Sequence, residues 1–326
     1  MSKQDKIVKP TKLKIGILNP ISGEWFNLHK DKIELVTDIR NADFIIYESN
    51  GDPINIIEKV KKSFPSEKLV FILSGDQNNH IENGYHWFTN AVKPSGLLTN
   101  QVQIYVTNPA IFKFYDKIKK GKEIPFGKRG LDIYFKGTIW EGMRTDMFNA
   151  FNNKPNTEII NNSNYWPWRF SMVKPTQEQL EETAYDSYRG MLNAKLTLCP
   201  KGNGNSSMRI VEALACGSIP VLINDFSFPF GIKWGGNMNT DDDCALVFDT
   251  RKHSWSYIYN ECMSLINDES RYNKMVKRGK EIFVNYIYKD SQLEEFKMYK
   301  DINTVCFGFS SLIIDNLIKL HQKKHD

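Results

Sequence analysis

Residues 196–230 read LTLCPKGNGNSSMRIVEALACGSIPVLINDFSFPF, and the fold is decided in this stretch. A short apolar run, Leu196–Leu198, breaks at Pro200 and opens into Lys201-Gly202-Asn203-Gly204-Asn205. Two glycines permit backbone conformations with positive φ and let main-chain N–H groups approach a ligand closely. Ser206 or Ser207 then stands where a helix over Met208–Cys216 needs its N-cap. Gly217 supplies a left-handed helix end, and Ile219–Ile223 is again an apolar run of strand length. Strand, glycine-rich turn, helix and strand in succession form one repeat of a parallel α/β sheet. Such a turn collects unpaired N–H groups and the positive end of a helix dipole, so it suits an anion. In open parallel sheets ligands sit beyond the carboxyl ends of the strands, where this loop lies. The segment has no GK[ST] after its second glycine and no GxGxxG spacing, so it is neither a P-loop nor a dinucleotide fingerprint.

On the helix, Arg209 and Glu212 are three apart and share a side, while Ile210, Val211 and Leu214 point into the core. A cation in the first helical turn opposes the dipole, which makes Arg209 unusual unless an anion lies beside it. Two readings stay open: a surface ion pair between Arg209 and Glu212, or an anion held by Arg209 with Glu212 accepting hydrogen bonds from ligand hydroxyls.

Outward from this stretch the pattern repeats. Leu13–Leu18 (LKIGIL) is a short apolar run of buried-strand type, Asp43–Tyr47 (DFIIY) and Leu69–Leu73 (LVFIL) repeat the pattern, and Ile56, Ile57 and Val60 give residues 54–62 helical spacing. Strands hydrophobic on both faces, alternating with helices, imply a parallel sheet covered on both sides. A second series starts at Leu131–Phe135. It continues through a helix over Arg144–Phe151, a strand at Thr157–Ile160, a polar helix over Gln177–Leu192 and a strand at Ala245–Phe248. Lys119–Gly130 (KKGKEIPFGKRG) lies between the two series and reads as a linker.

Composition narrows the classes. The 326 residues are 41% hydrophobic and 25% charged, a globular balance with length enough for two domains. A net charge of +5 with scattered lysines suits a small anionic ligand but not nucleic acid, which calls for a dense basic face. The five cysteines show no metal-ligand spacing and read as reduced core thiols of a cytoplasmic protein. Residues 1–11 do not resemble a signal peptide, and no run reaches the roughly 20 apolar residues of a membrane span.

Pro200-Lys201-Gly202, Ser207 and Arg209 as Ser-x-Arg, Glu212-Ala213-Leu214, and Cys216-Gly217-Ser218-Ile219-Pro220-Val221 follow one another in this order. Together they resemble the C-terminal motif of the exostosin-type glycosyltransferases, family 47. That family shows a Pro-Arg-Gly turn, Ser-x-Arg, Glu-Ala-Leu, and a small-residue pair before Ile-Pro-Val. Asp225 with Phe228-Pro229-Phe230 is similar to its Leu-Pro-Phe element, and Phe135-Lys136-Gly137 with Arg144 to its Phe-Arg-Gly…Arg segment. The resemblance covers about residues 130–290; Lys201 stands where the family more often has arginine.

The resemblance implies an α/β protein of two Rossmann-like domains facing across a cleft, the GT-B fold. Residues 1–122 would bind the acceptor and 123–300 the nucleotide-sugar, with the C-terminal helix of 301–326 free to pack back on the first domain. The implied reaction is inverting transfer of a sugar from a UDP-sugar to a hydroxyl of a glycan acceptor. Carried over by position, Arg209 and Arg144 would hold the diphosphate and Glu212 the ribose. Gly137 and Thr138 would lie against the phosphates, and Lys201, Ser206 and Ser207 would complete the donor site. Two guanidiniums can neutralise a departing diphosphate, so neither metal nor cofactor is expected beyond the nucleotide-sugar. A GDP-sugar enzyme of the fucosyltransferase kind is an alternative, because its helix also carries a glutamate before a small-Gly-Ile/Val-Pro strand. A catalytically silent nucleotide- or glycan-binding module is another.

Inverting chemistry needs a base on the acceptor side. Asp76, directly after the strand Leu69–Leu73, is the first candidate, with His29, His80 and His86 as alternatives; Trp166, in the aromatic stretch Tyr165–Trp168, could stack on a ligand or close a seam. Asp241-Asp242-Asp243 lies in a polar loop and reads as solvated rather than as a metal motif.

Overall fold

The computed structural model describes residues 12–18, 29–49, 54–73, 85–89, 101–103, 110–119, 124–139, 142–162, 176–201, 207–224, 244–288 and 310–325. The first sheet contains β1 (Leu13–Ile17), β2 (Ile33–Leu35), β3 (Phe44–Ser49), β4 (Leu69–Leu73), β5 (His86–Thr89) and β6 (Gln101–Gln103). Their order is β2-β1-β3-β4-β5-β6, with every neighbouring pair parallel. Helix α1 (Ile54–Ser63) connects β3 to β4, and α2 (Ala110–Lys119) follows β6. The apolar runs become strands because both faces are covered. Ile45, Tyr47, Leu69 and Phe71 pack with Ile57 of α1, while Phe44, Ile46, Val70 and Ile72 enter a second cluster on the opposite face.

The second sheet contains β7 (Leu131–Gly137), β8 (Thr157–Asn161), β9 (Ala194–Pro200), β10 (Ile219–Ile223) and β11 (Leu246–Phe248), in the order β11-β10-β9-β7-β8. It too is wholly parallel. Its helices are α3 (Met143–Phe151), α4 (Gln177–Asn193), α5 (Arg209–Ala215), α6 (Trp255–Asn267) and α7 (Glu269–Ile282), followed by a π-helical turn at Phe283–Tyr288 and by α8 (Ser310–His325). Ile133, Phe135, Leu198 and Val221 face Met147 and Phe151 of α3 and Ile258 and Cys262 of α6. Tyr134, Cys199 and Leu222 face the side of α4 and α5. Both units are therefore parallel α/β layers, as the alternation of apolar runs and helical spacing implies.

In each sheet the strand order reverses once, between β1 and β3 in the first and between β7 and β9 in the second. At such a point the loops leaving the two strands run to opposite faces and leave a crevice at the carboxyl edge.

The units are joined by more than chain continuity. Although α2 follows the first sheet, its Phe114 ring lies 5.5 Å from Tyr185 and 5.3 Å from Tyr188 of α4. Tyr115 meets Phe283 and Tyr288, each at 4.8 Å, and the Tyr288 hydroxyl donates to Asp116. Helix α8 reaches the other way: Ile313, Ile314 and Leu317 belong to the cluster of Leu13, Ile15 and Ile33, and Lys32 pairs with Asp315 at 2.9 Å.

The expected linker ends as part of the second unit. Arg129 is buried and donates to the carbonyls of Ala194 (2.6 Å) and Cys216 (3.2 Å), the C-caps of α4 and α5. A cation at two helix C-termini satisfies carbonyls that have no partner within the helix, while Phe126 packs on Tyr272 with ring centres 4.6 Å apart. The four described cysteines, Cys199, Cys216, Cys244 and Cys262, are buried. Among the described residues no helix is long and apolar enough to cross a membrane.

Candidate functional site

The reversal between β7 and β9 is where the sequence-predicted residues gather. Arg209 is the first residue of α5, the helix after β9, and it reaches across to β7. Its Nε and Nη2 both donate to the Lys136 carbonyl, at 3.0 and 2.8 Å, and its guanidinium lies 4.9 Å from the Phe135 ring centre. Arg144 makes the reciprocal crossing. It is the second residue of α3, the helix after β7, and donates from Nη1 to the Thr138 carbonyl (2.8 Å) and from Nε to the Lys201 carbonyl at the end of β9 (3.3 Å). The two arginines brace the crevice from opposite walls.

Local sequence makes this possible. Gly142, at φ +84°, opens α3 with its carbonyl accepting from Thr145 (2.9 Å) and Asp146 (3.1 Å), which sets Arg144 in the first turn. Gly137 has no side chain to obstruct Arg209: a Cβ there would stand 2.1 Å from Nη2. Lys201 continues the ladder of β9 by donating its N–H to Ile223 O at 3.0 Å.

Neither guanidinium pairs with a carboxylate among the described residues; their partners are backbone carbonyls. The surface ion pair between Arg209 and Glu212 is not formed. Burial and the neighbouring positive charge of Arg209 pull Arg144 down to about 10, which still leaves it cationic at neutral pH. Two cations, each in the first turn of its helix, partly desolvated and repelling one another, oppose folding locally. An anion between them relieves both effects, and a planar donor fork suits phosphate oxygens.

Glu212 is buried, and the Tyr188 hydroxyl donates to its Oε1 at 3.3 Å. Burial raises its pKa, against the opposing influence of Arg209 and of the Tyr188 hydrogen bond. Thr138 uses its hydroxyl on the Asn162 carbonyl at 3.1 Å, so what it offers the crevice is backbone. Ser207 is buried. It does not occupy the N-cap: helix α5 is capped by Met208, in αR geometry and without a side-chain cap bond. The helix thus opens one residue later than the serine pair suggests, because Ser207 continues into a turn, its carbonyl accepting from Ile210 N–H at 3.1 Å.

The remaining candidates do not join this group. His29 precedes β2 and sits at the amino edge of the first sheet, where Leu13 N–H bonds Lys32 O. That is the edge opposite the carboxyl ends of the strands; burial lowers its pKa. Asp76, His80, Trp166, Ser206 and Asp241–Asp243 lie outside the described residues, and of His86 only the backbone, paired with Val70 in β5, is described. Sequence reasoning passed over Tyr188, whose link to Glu212 carries no local signature. It also passed over Glu48, a buried carboxylate near the carboxyl end of β3, beside the strand reversal of the first sheet.

Residues 92–235 match the Exostosin GT47 domain, the family that the Pro200–Val221 motifs resemble. The matched stretch includes Gly137, Thr138, Arg144, Lys201, Ser207, Arg209 and Glu212. No curated protein matches the chain. Among solved structures it is similar to WaaG, a glycosyltransferase involved in lipopolysaccharide biosynthesis, at 9% identity, TM-score 0.37, over 87% of this chain and 98% of that one. It is also similar to a glycosyltransferase from Rickettsia africae ESF-5, at 9% identity, TM-score 0.41, over 96% of this chain and 98% of that one. Scores this low leave the assignment to the family match and to the site itself.

Proposed function

We propose that the chain is an inverting glycosyltransferase that moves a sugar from a UDP-sugar to a hydroxyl of a glycan acceptor. One observation supports this most: Arg144 and Arg209 cross-brace the crevice between β7 and β9, and among the described residues their hydrogen bonds go to backbone carbonyls and not to carboxylates. When the bond between the anomeric carbon and the donor's β-phosphate breaks, negative charge grows on the departing diphosphate. Two guanidiniums fixed beforehand stabilise that charge without reorganising, and supply the neutralisation that a divalent cation gives in other transferases. Glu212 then accepts from the ribose hydroxyls, with Gly137, Thr138, Lys201, Ser206 and Ser207 completing the cradle. The acceptor oxygen attacks the face opposite the leaving group and yields its proton to a base, for which Asp76 is proposed. An Asp76→Asn variant should lose transfer by about 10²-fold or more while binding donor unchanged; full turnover would remove Asp76 from the role.

The test of the reading is a nucleotide panel. UDP, GDP and their sugars should be compared by thermal shift and calorimetry, and mass spectrometry should then follow products with glycan acceptors. Stabilisation by UDP and a UDP-sugar, with product formed, is the expected result. Preference for GDP would shift the donor to the guanine series; binding without product would leave a silent module.

Glu212 also makes a prediction about stability. An acid whose pKa is raised on folding keeps its proton in the native state at pH values where the unfolded chain has released it. Stability therefore falls as pH rises from the ordinary glutamate range through the raised value, and stays lower above it. Glu212→Gln should remove that decline. The variant should melt higher than wild type at pH 7, and the gap should close at pH 4. A gap independent of pH would show that Glu212 is not the group responsible.

A further inference from the structure

We propose that Tyr188 is a positioning residue for donor recognition: its hydroxyl fixes the aim of the Glu212 carboxylate. This rests on the donor-site reading above and deepens it. Tyr188 lies on α4, not on the glycine-rich segment or on α5, and is 1% exposed. Its hydroxyl donates to Oε1 of Glu212, and among the described residues nothing bonds Oε2. One oxygen is thereby committed and the other is left for a ligand hydroxyl. At 3.3 Å the bond is long for O–H···O, so it orients the carboxylate more than it stabilises it.

The phenol is well placed to impose an orientation because it is itself held. Phe114 of α2 packs on its ring at 5.3 Å and Tyr185 at 6.4 Å. Its backbone carbonyl accepts from the thiol of Cys216, the C-cap of α5, at 3.5 Å, which ties the backbone of α4 to the helix carrying Glu212. Phe114 arrives from the part of the chain that follows the first sheet. The carboxylate meant for the ribose is thus set from outside its own βαβ unit, through a ring clamped between α2 and α5. A glutamate free to rotate would lose part of its affinity for a vicinal diol by having to order on binding.

Tyr188→Phe removes the hydroxyl and keeps the packed ring, so the variant should fold. The probes are UDP and GDP with their 2′,3′-dideoxy forms, titrated calorimetrically into wild type, Tyr188→Phe, Glu212→Gln and the double variant. Wild type should prefer the ribo form. Tyr188→Phe should reduce that preference about tenfold and leave affinity for the dideoxy form unchanged, and it should have no further effect in the Glu212→Gln background. Tyr188→Phe with an undiminished preference, or with both forms weakened equally, would overturn the proposal. A wild type that binds nucleotides but does not distinguish the two forms would instead remove Glu212 from the ribose and Tyr188 with it. Wild type binding none of the probes would sink the donor-site reading from which the proposal starts.

Discussion

Arg209→Ala should lower kcat/KM with the nucleotide-sugar by about 10²- to 10³-fold, the range found when a fixed donor to developing negative charge is removed. Affinity for the free nucleoside diphosphate should fall about 10-fold or more, as for loss of a charge-assisted hydrogen bond. The melting temperature should hold or rise. Arg209 pairs with no carboxylate among the described residues, and its removal relieves the repulsion on Arg144. A purely structural arginine predicts the reverse: lower stability from the orphaned Lys136 carbonyl, with donor affinity intact. Arg209→Lys should rescue little, because an ammonium cannot make the two-pronged bond to that carbonyl that sets the side chain's direction. Steady-state kinetics, calorimetry and thermal unfolding on the same three proteins separate the two outcomes.

The second large effect comes from one methyl group. Gly137→Ala adds a Cβ at a position 2.1 Å from Arg209 Nη2 and 3.0 Å from its Cζ. Gly137 is a strand residue without positive φ, so the substitution strains no backbone torsion, and the far end of Arg209 is what has to give. The guanidinium should leave the Lys136 carbonyl while the protein keeps its charge. The expected loss in donor affinity approaches that of Arg209→Ala, and combining the two should give little more than either alone, since both act through one side chain. Wild-type activity from Gly137→Ala would mean that the position of Arg209, as distinct from its charge, does not matter.

Much of the second unit was legible in the sequence because its signals are local. Leu131–Phe135, Thr157–Ile160, Leu196–Leu198, Ile219–Ile223 and Ala245–Phe248 are short stretches of strand length that carry buried apolar residues, and each lies on a strand with layers on both sides or reaches just past its end. The left-handed Gly217 ends α5 at φ +65°, as its place after Cys216 suggests. The first unit was read less fully. Strands β2, β5 and β6 have the sequences IEL, HWFT and QVQ, too short or too polar to stand out. They form through pairing to neighbours already in place, which no local pattern records.

At the site, residue identity was legible and partnership was not. Arg144, Arg209 and Glu212 could be picked out by spacing and resemblance. That each arginine crosses to the other's strand follows from the sheet order β9-β7-β8, which only the fold supplies. Arg209 and Glu212 share a helical side yet do not pair, because Lys136 O and Tyr188 take them in different directions. Tyr188 and Phe114 were unreadable for the same reason: helical period tells which face is apolar, not which distant helix will cover it.

The most direct test is a crystal structure of the protein with UDP or GDP. Oxygens of the diphosphate should lie about 2.7–2.9 Å from guanidinium nitrogens of both Arg144 and Arg209, at the carboxyl ends of β7 and β9, with the ribose toward Glu212. A nucleotide bound elsewhere, or one bound here with both arginines still turned only to the carbonyls of Lys136, Thr138 and Lys201, would contradict the assignment.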